Sequence, residues 1–144
     1  QCELVGSEVV NGRTATAELA DLFLQIKPGT DSTLFGGLLR HLAQTDALDT
    51  DYITAHTHGF DAALEAAAPL DEDHVATVTG LSLATLREFY ACYTNTPAAV
   101  TLYSQGINQS ATGTDNCNAI INCHLATGRV GKPGASPFSI TGQP

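Results

Sequence analysis

The sequence predicts an α/β domain in which a mostly parallel sheet is flanked by helices. Segments with strand composition alternate along the chain with segments of helical periodicity, which is the order typical of such folds. Hydrophobic residues make up 43% of the chain and charged residues 15%, as expected for a folded protein. Since 144 residues suit one core rather than two, residues 1–144 are predicted to form a single domain.

The first part of the chain predicts two strands separated by a short helical turn. Residues 3–10 are rich in Val, and residues 22–26 read "LFLQI", a short apolar run without a breaker. Pro28 and Gly29 end the second strand, because proline keeps the residue before it extended and glycine allows a tight turn. Thr30 or Asp31 can then cap a helix whose apolar face carries Leu34, Leu38, Leu39 and Leu42.

The middle and last parts predict four more helices, a further strand and one long helix. The four helices cover residues 49–57, 60–68, 71–79 and 82–93. Residues 98–104, "AAVTLYS", form the next strand, and Gly106 makes a turn away from its end. A helix follows over residues 115–127 and is stopped by Gly128. Residues 129–144 contain several Gly and Pro residues and are predicted to be a loop.

Charge and cysteine content exclude several classes of function. Six Lys and Arg residues stand against fifteen Asp and Glu residues, a net charge of -9, which disfavours binding to nucleic acid or to anionic membranes. No apolar run approaches the length of a membrane span, and the first ten residues lack the pattern of a signal peptide. The four cysteines form no Cys-x-x-Cys pair, so they indicate free thiols in a reducing compartment, and no metal site is predicted.

Polar residues follow two of the predicted strands at the end where α/β proteins bind ligands. In "LQIKPGTD" the Asp31 carboxylate could accept hydrogen bonds from a donor edge such as that of a guanine, although a simple helix cap explains this segment better. In "LYSQGINQS", Gly106 allows close backbone approach, while Gln105, Asn108 and Gln109 offer both donors and acceptors. Three carboxamides within five residues favour ligand binding over a solvated loop.

Histidine and cysteine residues do not assemble into a catalytic group by sequence alone. His56 and His58 are two residues apart, so on a helix they would point to different faces, and surface positions fit them better than a metal site. Cys123 and His124 are adjacent and cannot face each other on a helix, which favours a place for His124 in the core. From the residues alone, the sequence predicts a ligand-binding α/β domain and no particular reaction.

Long motifs nonetheless resemble one family. "RTATAELADLFLQIKPGTDSTLFGGLLRHL", "HTHGFDAAL" and "YSQGINQSATGTDNCNAIINCHLATGRVGKPGASPFSITGQP" are similar to the catalytic subunit of bacterial assimilatory nitrate reductases, members of the molybdopterin oxidoreductases. The resemblance runs from Arg13 to nearly the end of the chain. It implies a Rossmann-like partial domain and an internal fragment, with iron–sulfur cysteines and the metal-coordinating residue upstream and a cap domain downstream.

The resemblance also implies roles for particular residues around molybdenum bis-molybdopterin guanine dinucleotide. Gln105, Gly106 and Gln109 would hold a pterin, and Gly29, Thr30 and Asp31 would hold a guanosine end. Arg13 and Thr14 match a nucleotide-binding turn, which reads "VNGRT" here where relatives usually have "DPRRT". The approach to the molybdenum would be lined by the residues of "TGQP": catalytic Thr141 and Gln143, with Gly142 as a cofactor contact.

By the same resemblance, the full-length subunit would reduce nitrate to nitrite in the cytoplasm. It would take electrons from ferredoxin, flavodoxin or an NADH-linked reductase through a 4Fe–4S cluster outside this segment, and the segment alone is expected to be inactive. Two alternatives stay open. A formate dehydrogenase-like subunit is one, although formate enzymes place Arg where Thr141 stands. The other is a non-catalytic module that binds a cofactor or a partner.

Overall fold

The structure of the chain, a computed structural model, describes residues 4–5 and 15–140. Eight helices and four short strands follow one another in this part of the chain. The helices are α1 (Ala15–Leu19), α2 (Asp31–Gln44), α3 (Thr50–His56), α4 (Phe60–Ala67), α5 (Glu72–Thr79), α6 (Leu83–Asn95), α7 (Gln105–Asn108) and α8 (Gly113–Ala126). The strands are β1 (Leu4–Val5), β2 (Leu22–Phe23), β3 (Val100–Tyr103) and β4 (Ser136–Ser139).

The strands pair in parallel, which confirms the predicted α/β class. β1 pairs with β2, and β3 pairs with β4 so that Val100 lies opposite Ser136 and Tyr103 opposite Ser139. Within the described part of the chain these pairs are two separate two-stranded sheets rather than one continuous sheet. The connection from β3 to β4 runs through α7 and α8, as a parallel crossover requires.

Helix α2 lies at the centre of the core, as the leucine spacing predicts. Leu38 and Leu42 on α2 are fully buried, together with Val75 on α5 and Leu86 on α6. Gly37 allows these helices to approach closely, because a Cβ atom there would collide with the Tyr90 hydroxyl and lie 2.6 Å from a Val75 methyl group. The core is therefore mostly helix packed on helix, and α8 joins it through Cys123 and Ala126.

Helix boundaries agree with the predictions to within two residues because side chains fix where the helices begin. The Asp49 carboxylate accepts from the Tyr52 amide at 2.9 Å and starts α3. Asp71 accepts from the His74 amide at 2.8 Å, and Ser82 accepts from the Thr85 amide at 3.1 Å. Each bond satisfies a backbone donor that the first turn of a helix leaves unpaired. Local sequence therefore determines most of the helical layer.

Several predicted strand and loop segments differ from the structure. Residues 136–139 form β4 although they were expected to be part of a loop, because a strand containing Pro137 is specified by its pairing with β3 rather than by its own composition. Of the predicted strand over residues 22–26, Leu22 and Phe23 form β2. Of the strand over residues 3–10, Leu4 and Val5 are described and the rest lies outside the described residues. The sequence predicts a turn at Gly106, and the structure shows a helix of one turn there, α7.

No helix among residues 15–140 is both long and apolar enough to span a membrane.

Candidate functional site

The polar stretch after β3 forms a surface turn that presents two carboxamides to solvent. The Ile107 amide donates to the Ser104 carbonyl at 2.9 Å, and the Gln109 amide donates to the Gln105 carbonyl at 2.9 Å. These bonds make α7 a single helical turn, and the Gln105 and Gln109 side chains at its two ends are exposed. The structure thus brings together the predicted residues Gln105, Gly106 and Gln109 at the carboxyl end of a parallel strand, where such folds bind ligands.

The first turns of α8 hold this turn in place on its inner side. Asn116, which is 1% exposed, donates through Nδ2 to Ser110 Oγ at 3.0 Å. Ser110 Oγ donates in turn to the Ile107 carbonyl at 2.8 Å. Gly113 permits this contact because a Cβ there would collide with the Asn108 carbonyl group. The backbone of the turn is therefore fixed while its glutamine side chains point away from the core.

Two buried acceptors at this turn have no donor among the described residues. They are Oδ1 of Asn108 and Oδ1 of Asn116. A buried acceptor left without a partner costs about 1–3 kcal/mol, but both atoms are enclosed by protein, so a bound ligand would not reach them in this structure. Gly106 leaves room for such a ligand, because a Cβ there would meet no protein atom within 4 Å. The turn therefore offers a ligand open space and two exposed carboxamides, which both donate and accept.

The second predicted binding stretch, residues 29–31, forms a turn between β2 and α2. Gly29 has a φ of 76°, a left-handed conformation that favours glycine. The Thr30 hydroxyl donates to the Lys27 carbonyl at 2.7 Å, and the Lys27 amide donates to the Thr79 carbonyl at 2.8 Å. Asp31 is half-buried as the first residue of α2. The turn is thus anchored to α5 on one side.

Thr30 is the N-cap residue of α2 as predicted, but it makes no side-chain capping hydrogen bond. Thr30 occupies the N-cap, yet its side chain makes no capping hydrogen bond, since the hydroxyl is directed to the strand side of the turn instead. Asp31 lies inside the helix rather than at its cap. An aspartate in the first turn is stabilised by the helix dipole. Thr30 therefore occupies the cap position without capping the helix through its side chain.

The two polar turns follow strands of different sheets, and the helices after them pack together. The Cys123 thiol on α8 donates to the Phe35 carbonyl on α2 at 3.2 Å. Residues 29–31 form one local group, and Gln105, Gly106 and Gln109 form another. The remaining predicted site residues lie outside the described part of the chain: Arg13, Thr14, Thr141, Gly142 and Gln143.

The end of β4 lies beside the turn that follows β3. The Ile140 amide donates to the Tyr103 carbonyl at 2.8 Å, and the Ser104 hydroxyl lies 3.5 Å from the Ile140 carbonyl oxygen. Ser104 also donates to the Gln105 side-chain oxygen. The carboxyl ends of the two parallel strands therefore lie at the same edge of the sheet, where Ser104 contacts Gln105.

A buried polar cluster under β3 is the feature that the sequence did not reveal. Arg129 is 4% exposed and donates to the Tyr93 carbonyl at 2.8 Å and the Thr96 carbonyl at 2.6 Å, while its guanidinium stacks 4.2 Å from the Tyr93 ring centre. It ties the segment after α8 to the end of α6. The signal available in the sequence was an arginine directly after the helix-stopping Gly128, which by itself suggests only a surface position.

His124 is a core residue, as its helical position predicted. It is fully buried, and its Nε2 lies 2.7 Å from the Thr101 hydroxyl on β3. Burial, with a smaller contribution from the Arg129 charge, lowers the pKa of His124 to about 4, so its ring is neutral near pH 7. Its contacts give it a structural role between α8 and β3.

Cys123 does not form a nucleophilic pair with His124. Its side chain is fully buried and bonded to a carbonyl on α2, and burial raises the pKa of its thiol. A thiol that stays protonated is a poor nucleophile. His56 and His58 are both exposed, and within the described residues no group of three or more potential ligands is arranged to hold a metal ion.

Comparison with known proteins identifies relatives of this segment. No protein-family model matches the chain. A nitrate reductase from Shewanella frigidimarina is 50% identical over 133 residues and covers 91% of the chain, and one from Klebsiella oxytoca is 48% identical over 132 residues. An F420-dependent formate dehydrogenase 1 subunit alpha from Methanococcus maripaludis is 29% identical over 130 residues.

A solved structure shares the fold. Acetylene hydratase from Pelobacter acetylenicus superimposes with a TM-score of 0.69 over 91% of the chain at 24% identity, and the match takes up 18% of that protein. The chain likewise spans only 14% and 15% of the length of the Shewanella and Klebsiella nitrate reductases. The chain is therefore the homologue of one segment of those longer nitrate reductases.

Proposed function

We propose that the chain is a cofactor-binding segment of the catalytic subunit of a molybdenum-dependent assimilatory nitrate reductase. The complete subunit would reduce nitrate to nitrite. The observation that carries the proposal is the turn after β3, in a segment 50% identical to a nitrate reductase. There, exposed Gln105 and Gln109 flank a glycine with open space around it.

The proposed cofactor is one molybdenum bound by two molybdopterin guanine dinucleotides. It would supply the two-electron chemistry when bound. A pterin edge carries mixed donors and acceptors, which carboxamides can match because each both donates and accepts. Gln105 and Gln109 would bind that edge. Gly106 would let the backbone approach the ring, since no side chain stands in the way.

The guanosine end of the cofactor would be bound at the turn before α2. The Asp31 carboxylate would accept from the guanine, as a half-buried acid at the start of a helix is well placed to do. Gly29 and Thr30 would supply backbone contacts, and Arg13 and Thr14 a further nucleotide contact. Thr141, Gly142 and Gln143, which follow β4 in the sequence, would line the approach of nitrate to the metal.

Other parts of the proposed enzyme lie outside this segment. A 4Fe–4S cluster would pass electrons from ferredoxin, flavodoxin or an NADH-linked reductase in the cytoplasm. Because the chain spans 14% of the length of the Shewanella relative, the 144 residues alone are expected to be inactive. Purified chain assayed with reduced viologen and nitrate should give only background rates, and turnover with bound molybdenum would contradict this.

The proposal is tested by changing one glutamine in two ways in the full-length protein. Gln109→Glu keeps the size of the side chain but places a negative charge beside an anionic cofactor, and like charges in a desolvated site repel strongly. We expect a sharp fall in nitrate reduction per bound molybdenum and an altered molybdenum(V) resonance spectrum. Gln109→Asn keeps the carboxamide and should cause a milder loss.

Gln25→Glu is the matched control. Gln25 is also exposed, lies close to the end of β2, and belongs to neither polar turn. The same charge change there should leave both rate and spectrum as in the parent. If Gln109→Glu also keeps the parent's rate and spectrum, the turn after β3 is a solvated loop and the cofactor assignment fails.

Formate oxidation is the second candidate, supported by the 29% identity to a formate dehydrogenase subunit. It shares the proposed cofactor, so the Gln109 variants would behave alike under either function. Assay of the full-length protein with nitrate and with formate separates them, and turnover of formate alone would replace the nitrate assignment. A non-catalytic module would show neither activity in the full-length protein.

A further inference from the structure

The polar turn after β3 has little packing of its own. No residue of α7 is buried, and the helix is four residues long. A first helical turn fixes several backbone angles in return for one hydrogen bond, so a single turn is unstable by itself. Gln105 and Gln109, the two candidate ligand contacts, are both exposed and add no burial. The order of this turn therefore depends on contacts from outside α7.

Two hydrogen bonds in series connect the turn to α8. Asn116 donates through Nδ2 to Ser110 Oγ at 3.0 Å, and the Ser110 hydroxyl donates to the Ile107 carbonyl at 2.8 Å. We call these two bonds the Ser110 bridge. One end of the bridge is on a helix of 14 residues, where Asn116 is 1% exposed, and the other end is on the short helix α7. The bridge thus ties a weak element to a well-packed one.

The chemistry of the bridge requires a donor at residue 116. A serine hydroxyl carries one proton, and the Ile107 carbonyl can only accept, so the proton of Ser110 is used there. Ser110 Oγ must then accept from the next residue, and the Asn116 carboxamide supplies the N–H. An aspartate at the same place could only accept. It would attract the serine proton and leave the Ile107 carbonyl without its donor.

Backbone contacts bring α8 close enough for the bridge to form. The Gly113 amide donates to the Ser110 carbonyl at 3.0 Å, and the Asn116 amide donates to the Thr112 carbonyl at 3.0 Å. A Cβ atom at Gly113 would collide with the carbonyl group of Asn108, so the start of α8 lies directly against the end of α7. The bridge therefore closes a compact unit formed by α7, the connecting residues and the first turns of α8.

Asn116 is a costly residue for stability alone. Its Oδ1 is buried and has no donor among the residues that the structure describes. A buried acceptor without a partner destabilises the fold, and an apolar side chain at this place would avoid that cost. Residues that break such local rules concentrate at functional sites. The burial of a carboxamide here therefore points to a role in the turn that it supports.

We propose that Asn116 and Ser110 are positioning residues that hold Gln105 and Gln109 in one arrangement for the cofactor. This inference rests on the proposed cofactor-binding function of the turn. Both residues act through the backbone of Ile107 rather than by contact with the ligand. A ligand that binds a turn already held in the bound arrangement loses less conformational entropy, so its affinity is higher.

Hydrogen exchange in the cofactor-free full-length protein tests the bridge itself. Ser110→Ala removes the bridging hydroxyl from an exposed residue, whereas Ser110→Thr keeps a hydroxyl there. Exchange of the backbone amides in a peptide covering residues 104–113 would be followed by mass spectrometry. We expect Ser110→Ala to exchange at least ~5-fold faster than the parent, because local opening becomes easier without the bridge. Ser110→Thr should exchange at the parent's rate.

Asn116→Asp tests the direction of the two hydrogen bonds. The variant keeps the shape of the side chain but removes Nδ2, so the same peptide should again exchange faster than in the parent. Asn95→Asp, at an exposed position at the end of α6, makes the same chemical change away from the turn and should leave the exchange as it is. Since Asn116→Asp also buries a carboxylate, which can disturb α8, Ser110→Ala serves as the independent variant.

Molybdenum content per purified full-length subunit tests the consequence for binding. We expect at least ~3-fold less molybdenum in Ser110→Ala than in the parent, because a smaller fraction of molecules has the turn in its binding arrangement. Ser110→Thr should restore the content. Turnover per bound molybdenum and the KM for nitrate should stay close to the parent, since molecules that hold the cofactor hold it with the same glutamines.

Two results would overturn the proposal. Parent-like exchange in both Ser110→Ala and Asn116→Asp, or equal acceleration in Ser110→Ala and Ser110→Thr, would show that the bridge does not hold the turn, whatever the cofactor. Faster exchange with parent molybdenum content would refute the positioning role. Gln109→Glu then separates the two claims: a loss of activity leaves the cofactor at the turn, whereas parent behaviour refutes the cofactor assignment as well.

Discussion

The helical core and the β3–β4 sheet are built on opposite principles. In the core, α2 is surrounded by α5, α6 and α8, and residues such as Leu38, Val75 and Leu86 have no exposed surface. In the sheet, one face packs on α8 while Leu102 is 60% exposed on the other. Apolar residues are equally frequent in both regions, so hydrophobicity alone does not separate them. What separates them is that the described residues enclose the helical core, whereas they cover only one face of the sheet.

This difference means that the helical core and the sheet contribute unequally to the folding free energy. Since burial of apolar area is the main source of folding free energy, the helices supply most of the stability that the segment has on its own. The sheet leaves apolar side chains such as Leu102 and Phe138 exposed and contributes less burial. Substitutions that are chemically identical in the two regions should therefore have very different costs.

The largest contrast is expected between Leu38→Ala and Leu102→Ala. Leu38 is fully buried, and deletion of a buried leucine costs about 2–5 kcal/mol in unfolding free energy. Leu102 is mostly exposed, so the same change in the isolated chain should cost less than about 0.5 kcal/mol. Urea denaturation followed by circular dichroism measures both. Equal costs would mean that the sheet face is buried in the isolated chain, for instance by self-association.

Arg129→Met should lower the unfolding free energy by less than Leu38→Ala does. Arg129 lies between the helical core and the sheet. The substitution keeps the aliphatic bulk but removes the donors to the Tyr93 and Thr96 carbonyls. Loss of these bonds is expected to cost about 1–3 kcal/mol, partly offset because an unpaired buried cation is removed as well. Denaturation midpoints of Arg129→Met and parent chain measure the difference. A variant more stable than the parent would show that the buried charge outweighs its hydrogen bonds.

The smallest effect at neutral pH is expected for His124→Gln, which should act mainly through pH. The unfolded histidine has a pKa near 6.5, whereas burial lowers the folded pKa of His124 to about 4. Between these values the unfolded state binds more protons, so stability is complete above pH 6.5 and declines as pH falls toward 4. Glutamine does not titrate and can still bond Thr101. Thermal midpoints at several pH values should therefore fall less steeply for the variant than for the parent, and parallel curves would show that His124 is not linked to folding.

The helices and the two polar turns could be predicted because their signals are local. Asp49, Asp71 and Ser82 each cap the helix that follows them, and the leucine spacing on α2 matches its buried face. Gln105 and Gln109 lie at a strand end as expected, since parallel α/β order dictates where strand ends gather. Such features need only a few neighbouring residues to be recognised.

The missed features depend on contacts between distant residues. β4 contains Pro137 and few strand-forming residues, and only its pairing with β3 makes it a strand. Arg129 is buried because the end of α6 offers two carbonyls to it, which no local pattern announces. The division of the strands into two sheets, and the exposure of Leu102 and Phe138, likewise depend on tertiary arrangement.

The crossover from β3 through α8 to β4 has a consequence for the order of folding. Its strands, Val100–Tyr103 and Ser136–Ser139, are joined by residues 104–135, so closing this unit loses less chain entropy than closing the contact between Cys123 and Phe35, which are 88 residues apart. Contacts that are near in sequence form fastest. We therefore expect the strand–helix–strand unit to close after the preceding helices have been synthesised, with α8 docking onto α2 through the contact between Cys123 and Phe35.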